Sequence, residues 1–478
     1  MIKLLTRSLK AKQFSAKPLK TKLTVGVVLV ASLLSGCATK IDEQQHQQLM
    51  KSFIADADIA TQLTGQDEIN WWQQLNSVQL NQLIKDALTN NHDLKTSQLQ
   101  LKSALAKLKV EKSDFLPQGG LEIGAQRTSI ADNISRQSSA NLALSWQLDL
   151  FGRINALVDA ANASAMSQAE QLRALQIEVI SSVVKGFISY QGNMQKQEII
   201  SLQVAALKKS ILVLSARVEE GIANELDLNR TRAQLSQQQA LLPETSYALY
   251  NDLSTLALLT GRLSGDIKLN NEQKIFDLPF EVTLAQPSSA IALRPDISQA
   301  LYQFSQANSL SVAASKALLP DISLSAFVGV LSLGSSQLNN SQHQWQVAPQ
   351  IQWSLLSYPA LLAQRDAQQY LSEAAYSQYQ QVVLAAINDS ELSLQLLTKH
   401  LEQKRFADKR FQFAHQAFMQ ANAMYQEGQI PYLELLDARQ DVLIAQENAV
   451  NATISSSLAK VSAYQAFNGR WSYGLITL

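Results

Sequence analysis

The spacing of apolar positions changes period several times along the chain, and each change marks an element. From Leu80 to Leu108 apolar residues recur at helical steps, with an interruption at Asn90-Asn91 and a stop at Pro117. Over 119–149 the period drops to two. Leu121, Ile123 and Ala125 alternate with Glu122, Gly124 and Gln126, and Leu142, Leu144, Trp146 and Leu148 alternate with Ala143, Ser145, Gln147 and Asp149. This predicts two strands, each with one apolar face, joined by a polar loop around Ala131-Asp132-Asn133. From Ile154 to Glu219 there is no Pro, and Gly occurs only at 186 and 192, so these 66 residues predict one helix about 100 Å long. Gly221 turns the chain, and a shorter helix returns to about Leu259, with Pro243 expected to kink or break it. Residues 263–290, with Pro279 and Pro287, read as a connector.

The pattern then repeats. Asp93 and Pro117 have counterparts 203 residues later in Asp296 and Pro320, and Trp146 has one 207 residues later in Trp353. Gly221 and Asp227 match Gly428 and Glu434, again 207 residues on. A second strand pair is expected over 320–356. Ile322, Leu324, Ala326, Val328 and Val330 share one face of its first strand, and Trp345, Val347, Ile351, Trp353 and Leu355 one face of its second. A second long helix follows from about Ala360 to Tyr425. Gly428 ends it, as a residue at ease with positive φ does. Pro431 fits the first turn of the returning helix, where a missing N–H costs nothing. The chain thus divides into a leader, 1–36, an N-terminal arm, 37–70, a first repeat with its connector, 71–290, and a second repeat, 291–478.

Composition sharpens this picture. The 478 residues include only 17 Gly and 10 Pro, which suits long helices. Seven Lys/Arg and no acid precede Cys37, followed closely by the apolar run Leu23–Leu34, too short for a comfortable membrane span. Leu34-Ser35-Gly36-Cys37 has the form of a lipobox, which predicts cleavage before Cys37 and a covalent lipid on its thiol. Ala38 rather than Asp follows, which points to the outer membrane. Without the leader, 33 basic residues face 40 acidic ones, so nothing suggests nucleic-acid binding. A single Cys excludes a disulfide framework.

Four strands with apolar faces cannot close a barrel, which generally takes eight or more, and open strand edges are not tolerated in lipid. Several chains must pool their strands. The long helices exceed any bilayer and must project to one side of it. The competing reading is a helical-bundle envelope lipoprotein with small hairpins docked on it.

The residues decide between these through a resemblance. Cys37, Trp71-Trp72 with Leu80 and Leu83, Trp146 to Arg153 (WQLDLFGR), Leu293 to Ile297 (LRPDI), and Gly428 with Tyr432 to Arg439 (YLELLDAR) resemble the TolC-type outer-membrane efflux channels, in their lipoprotein, OprM-like branch. The resemblance covers nearly the whole mature chain. It implies a mainly α fold with a β-barrel segment: a homotrimer sharing one transmembrane β-barrel, four strands per chain, continued by a periplasmic α-barrel of long antiparallel hairpins. It implies a periplasmic adaptor and an inner-membrane pump as partners, outer-membrane lipid around the barrel, and efflux of drugs or other small molecules. A duct for protein secretion is the alternative within the same architecture. One departure is Leu355 to Pro359 (LLSYP), where relatives often carry a Phe-Asp-Gly-Gly-like turn, so local barrel-to-helix geometry is open there.

No catalytic constellation, metal-ligand spacing or nucleotide loop is present, and no cofactor is expected beyond the lipid on Cys37. The residues singled out for function lie at the hairpin tips. Glu434 and Asp437, three apart on one helix face, would form two carboxylate rings in a trimer. Acids also simply favour a helix start. The resemblance adds a link between a Tyr three residues before the second tip glycine and an acid six residues after the first, places held here by Tyr425 and Asp227. An Arg that reinforces this link in some relatives is replaced by Ile430.

Overall fold

The computed structural model describes residues 71–130, 133–270, 294–334, 338 and 341–467. The leader, the arm with Cys37, and most of the connector lie outside the described residues. A short 3-10 turn at Trp71–Leu75 comes first among the described residues. Helices α1 (Val78–Asn90) and α2 (His92–Ser113) follow, then β1 (Gln118–Ile130) and β2 (Asn133–Leu148), α3 (Arg153–Glu219) and α4 (Glu225–Leu259). The second repeat supplies α5 (Pro295–Lys316), β3 (Asp321–Leu333), β4 (Gln342–Gln352), α6 (Tyr358–Gln426) and α7 (Tyr432–Phe467).

Asn91 explains the expected break. Its backbone N–H closes α1 on the Ala87 carbonyl, while its side-chain oxygen accepts from Asp93 and Leu94 and starts α2. α3 and α6 run 67 and 69 residues, about three times what a bilayer takes. Of the kink or break expected at Pro243 there is no break: α4 continues through it as a single helix. Packing along α3 outweighs the roughly 3 kcal/mol that an interior proline costs. In the second repeat β4 ends at Gln352, so Trp353 and Leu355 fall beyond it. Leu355–Ser357 forms a 3-10 turn that feeds α6, with Pro359 in its first turn.

The four strands form one antiparallel sheet in the order β1-β2-β3-β4, and its register puts the apolar residues in rows. Leu121 faces Leu142, Leu142 faces Val328, and Val328 faces Trp345. These four side chains are 68, 47, 57 and 76 % exposed, so the row is uncovered in the single chain. The opposite face carries Glu122, Asn141, Gly329 and Gln344 in the adjacent row, and Gln344 donates to the Asn141 side chain at 2.8 Å. Among the described residues β1 pairs only with β2 and β4 only with β3, so each end of the sheet is an unpaired strand edge.

The repeat is written into the packing. Trp146 donates its indole N–H to the Phe115 carbonyl at 2.9 Å, and Trp353 donates to the Leu318 carbonyl at 3.2 Å. Phe115 and Leu318 are 203 residues apart, so the two bonds are equivalent: each ties the far end of a strand pair to the turn that precedes it. Likewise Asn91 donates to the Leu259 carbonyl at 3.0 Å, and Arg294, 203 residues later, donates to the Ala466 carbonyl at 3.2 Å. The main core lies midway along α3, where Val183, Val184 and Phe187 pack with Leu256, Val461 and the 3-10 turn. Trp71 stacks on Tyr464 there, with ring centroids 4.7 Å apart and planes 8° from parallel.

The passage from β2 to α3 depends on one carboxylate. Gly152 occupies the N-cap position at φ 76° and has no side chain to cap with. Asp149 does so instead, accepting from Ile154 at 3.1 Å and from Asn155 at 2.9 Å. Losing a cap of this kind costs about 1 kcal/mol. Asp149→Ala should therefore speed hydrogen exchange at the Ile154 and Asn155 amides about five-fold, with Asp149→Asn affected less. Unchanged exchange in Asp149→Ala would show that the carboxylate does not hold this corner.

Candidate functional site at the hairpin tips

Both tips are built alike. After α3, Gly221 sits at φ 73°, with its N–H on the Val218 carbonyl and the Ile222 N–H on the Arg217 carbonyl at 2.9 Å. After α6, Gly428 sits at φ 72°, with its N–H on Tyr425 and the Gln429 N–H on Met424 at 2.8 Å. In each case the glycine takes the left-handed position that closes the last turn of the helix, where a side chain would be strained. Asn224 then caps α4, accepting from Leu226 at 2.8 Å. Pro431 stands one residue before α7 rather than within its first turn, and its carbonyl accepts from Glu434 at 3.2 Å.

Side chains then join the first hairpin to the second. Arg217, in the last turn of α3, donates to the Tyr425 hydroxyl at 3.0 Å. Tyr425 meets Tyr432 edge to face, with centroids 5.4 Å apart. The Tyr432 hydroxyl lies 3.0 Å from the hydroxyl of Thr231, which is fully buried. Thr231 has one proton and gives it to the Asp227 carbonyl at 2.8 Å, so Tyr432 is the donor in its contact with Thr231. Higher up, Arg439 donates to Ser210 at 2.8 Å and lies 5.6 Å from the centre of the Phe418 ring. The strap therefore runs from Arg217 on α3 through Tyr425 on α6 and Tyr432 on α7 to Thr231 on α4.

Asp227, Tyr425, Glu434 and Asp437 all lie at or just above the two turns, and Tyr425 bonds a different partner from the one the resemblance implied. Asp227 is half-buried in the first turn of α4, but within the chain the Tyr425 hydroxyl bonds Arg217 and not the Asp227 carboxylate. The long Arg217 side chain reaches the hydroxyl from the turn where α3 ends. Asp227 reaches the strap only through its backbone carbonyl. Glu434 and Asp437 are exposed on α7, and among the described residues neither carboxylate bonds within the chain. Sequence reasoning missed Arg217 and Thr231. Arg217 is a polar residue four before the first tip glycine, a signal of spacing that only the second hairpin's nearness makes meaningful.

A second polar cluster lies far from the tips. Arg294, with only 14 % of its side chain exposed, bonds Asp296 at 2.9 Å and Asp389 at 3.0 Å and borders a cavity of about 360 Å³ with Lys185 and Glu178. Burial opposes its charge, but the bonds to Asp296 and Asp389 outweigh it and hold its pKa above the ordinary arginine value. Burial pushes Lys185 down, against the attraction of Asp389 and Glu178. The two carboxylates satisfy Arg294, which also donates to the Ala466 carbonyl, so this is a clamp joining α5, α6 and the end of α7. No cluster of metal-ligating side chains occurs among the described residues.

The strap carries a direct consequence. Because Arg217 donates to the Tyr425 hydroxyl, Arg217→Ala and Tyr425→Phe should be coupled. The double variant should then loosen the tip, read as hydrogen exchange of the Gly428 and Gln429 amides, no more than either single one. Additive effects would mean that the two residues act separately.

The comparisons with known proteins agree with this architecture. The family model described as outer membrane efflux protein matches residues 83–262 and 286–469, one match to each repeat. The efflux pump outer membrane protein TtgC of Pseudomonas putida is 25 % identical over 476 residues, covering 94 % of this chain and 96 % of that protein. The cation efflux system protein CusC of Escherichia coli is 25 % identical over 92 % of this chain and 97 % of its own. Among solved structures, the outer-membrane channel OprN superposes with a TM-score of 0.81 at 25 % identity, covering 87 % of this chain and 97 % of that one. VceC of Vibrio cholerae shares the fold with a TM-score of 0.77 at 20 % identity, over 85 % of this chain and all of that one. With both repeats matched and the fold shared from the strand sheet to the long hairpins, the chain belongs to the outer membrane efflux protein family.

Proposed function

We propose that three copies of this chain form a passive exit duct for drugs or other small organic molecules, working with a periplasmic adaptor and an inner-membrane pump and anchored by a lipid on Cys37. The outer-membrane efflux role follows from the family; the trimer, the anchor, the partners and the cargo are the proposal. The observation that carries it is the sheet: four strands with one uncovered apolar face and an unpaired edge at each end. Three such sheets give twelve strands, enough to enclose an aqueous lumen. The relatives' names support small-molecule cargo without agreeing on one compound: they speak of toluene, of antibiotics and of cations. Those names also favour efflux over a protein-secretion duct. The sequence carries no nucleotide loop, so the energy for transport is assigned to the pump.

In this reading the tips are the gate. Glu434 and Asp437 from three chains form rings of carboxylates, which favour cations and resist anions in a narrow pore. The Arg217–Tyr425–Tyr432–Thr231 strap holds each second hairpin against the first, and opening separates them. A charged hydrogen bond at a partly exposed site contributes about 1 kcal/mol, enough to shift a two-state gate about five-fold. Arg217→Ala and Tyr425→Phe should therefore raise single-channel conductance in planar bilayers and admit large antibiotics to cells. Asp227→Ala should do so less, because its carboxylate is not the partner of Tyr425 within the chain. Glu434→Gln with Asp437→Asn should leave the open probability alone and weaken cation selectivity. Wild-type conductance and selectivity in all of these variants would place the gate elsewhere, while absence of any conductance from the wild-type protein would defeat the duct itself.

A further inference from the structure

The membrane-facing side of the sheet carries two positive charges that the duct does not need. Arg127 on β1 and Arg136 on β2 are direct cross-strand partners, and both are exposed. They lie on the apolar side, since Arg127 follows Leu121, Ile123 and Ala125 at steps of two, and Arg136 precedes Ala140, Leu142 and Leu144 at even spacing. Like charges directly opposite each other in a sheet repel, and side chains so placed lie only about 5 Å apart at their Cβ atoms. Among the described residues neither arginine has an ion pair. The same side of the sheet offers no relief: its rows contain no acid, because Glu122 and Asp321 both belong to the other side.

The height of the pair along the strand is informative. The helices leave the sheet at Gln118 and Leu148, the end that faces the periplasm in an outer-membrane efflux channel, so the β1–β2 turn lies toward the outside. The apolar rows begin at Leu148–Ile322–Ile351 and continue to Ile123–Ala140–Val330, which ends on the exposed His343 of β4. From Leu148 to Arg136 is about 40 Å along the strand, or about 30 Å along a barrel axis with the usual strand tilt. The apolar band of an outer-membrane barrel is about 25 Å tall. The arginines therefore stand just beyond its outer edge, at the depth of lipid headgroups, with their side chains turned to lipid and not to the lumen.

We infer that Arg127 and Arg136 form a binding site for the phosphate of a phosphorylated glycolipid in the outer leaflet. Two guanidinium groups side by side match a phosphate in charge and in bidentate geometry, and the phosphate removes their repulsion. The acyl chains of the same lipid would lie along the apolar row of Leu121, Leu142, Val328 and Trp345, below the arginines. This rests on the sheet spanning the membrane, not on the gate or the cargo.

The full-length protein, purified in neutral detergent and stripped of lipid, tests this by titration with bis-phosphorylated lipid A and with the same lipid dephosphorylated, binding being read by native mass spectrometry. The wild type should prefer the phosphorylated form, and Arg127→Gln with Arg136→Gln should bind it about ten-fold less tightly, the loss of one or two charged hydrogen bonds. Conductance of that variant should match wild type, because the pair faces away from the lumen. If the double Gln variant fails to assemble, Arg127→Lys with Arg136→Lys keeps the charge, loses the planar fork and should still bind several-fold less tightly. Equal binding by wild type and variants, or equal binding of both lipid forms, overturns the site. So does full displacement by equimolar inorganic phosphate, which would indicate a free-anion site. Asp132, between the two strands in sequence, lies outside the described residues. If Asp132→Asn raises affinity about ten-fold while the wild type binds weakly, that acid balances the arginines and the lipid does not.

Discussion

Within a lipid bilayer every backbone N–H and C=O must find a partner inside the protein, and this constraint governs the whole chain. A sheet of four strands meets it along three interfaces and fails at two edges, those of β1 and β4. The proposed assembly satisfies these edges with other copies of the same sheet. Much else follows from that. In the proposed barrel the apolar rows would face lipid, and the opposite rows, rich in Gln, Asn and Ser, would face the aqueous lumen. The helices leave the sheet at one end, so long hairpins extend on one side of the membrane only.

The internal repeat is the economical way to meet this constraint, and the equivalent bonds of the two halves show how far it reaches. Trp146 and Trp353 fasten each strand pair to its preceding turn, and Asn91 and Arg294 fasten the start of a helix to the last carbonyls of a returning one. The halves differ where charge enters. Asn91 makes its tie with a neutral amide, whereas Arg294 brings a buried cation that needs Asp296 and Asp389. The second half is thus clamped to α6 by these ion pairs, whereas the ion pair of the first half at this junction, Arg262 with Asp86 at 2.9 Å, joins α1 to the residues just after α4. At the tips the repeats do not merely resemble each other but bind each other, through Arg217 to Tyr425 and Thr231 to Tyr432.

Much of this was legible in the sequence. Alternation around Leu121, Leu142 and Val328 gave strands with the correct face, because a period of two leaves no other reading once lipid is the neighbour. The glycines at 221 and 428 marked both turns, because only a residue free of a Cβ sits easily at positive φ. Pro243 misled, since local cost says break while packing along α3 says continue. Trp353 and Leu355 also misled: the alternation of β4 runs past its end, and the 3-10 turn preserves an apolar spacing without any ladder. The partner of Tyr425 could not be read at all. A pairwise bond over 208 residues depends on how two hairpins lie side by side, and periodicity carries no information about that.

A barrel shared between chains requires β1 of one chain to pair with β4 of the next. Cysteine pairs across the two free edges test it most directly: Glu122→Cys combined in turn with Gln344→Cys, Gln346→Cys or Gln350→Cys, all on the lumen side. Oxidation of the protein in native outer membranes should yield, for at least one of these registers, a covalent product of three chains on denaturing gels, absent from each single-cysteine control. If none of the registers gives a covalent product while the protein remains folded and membrane-inserted, the strands close some other way and the shared barrel is wrong.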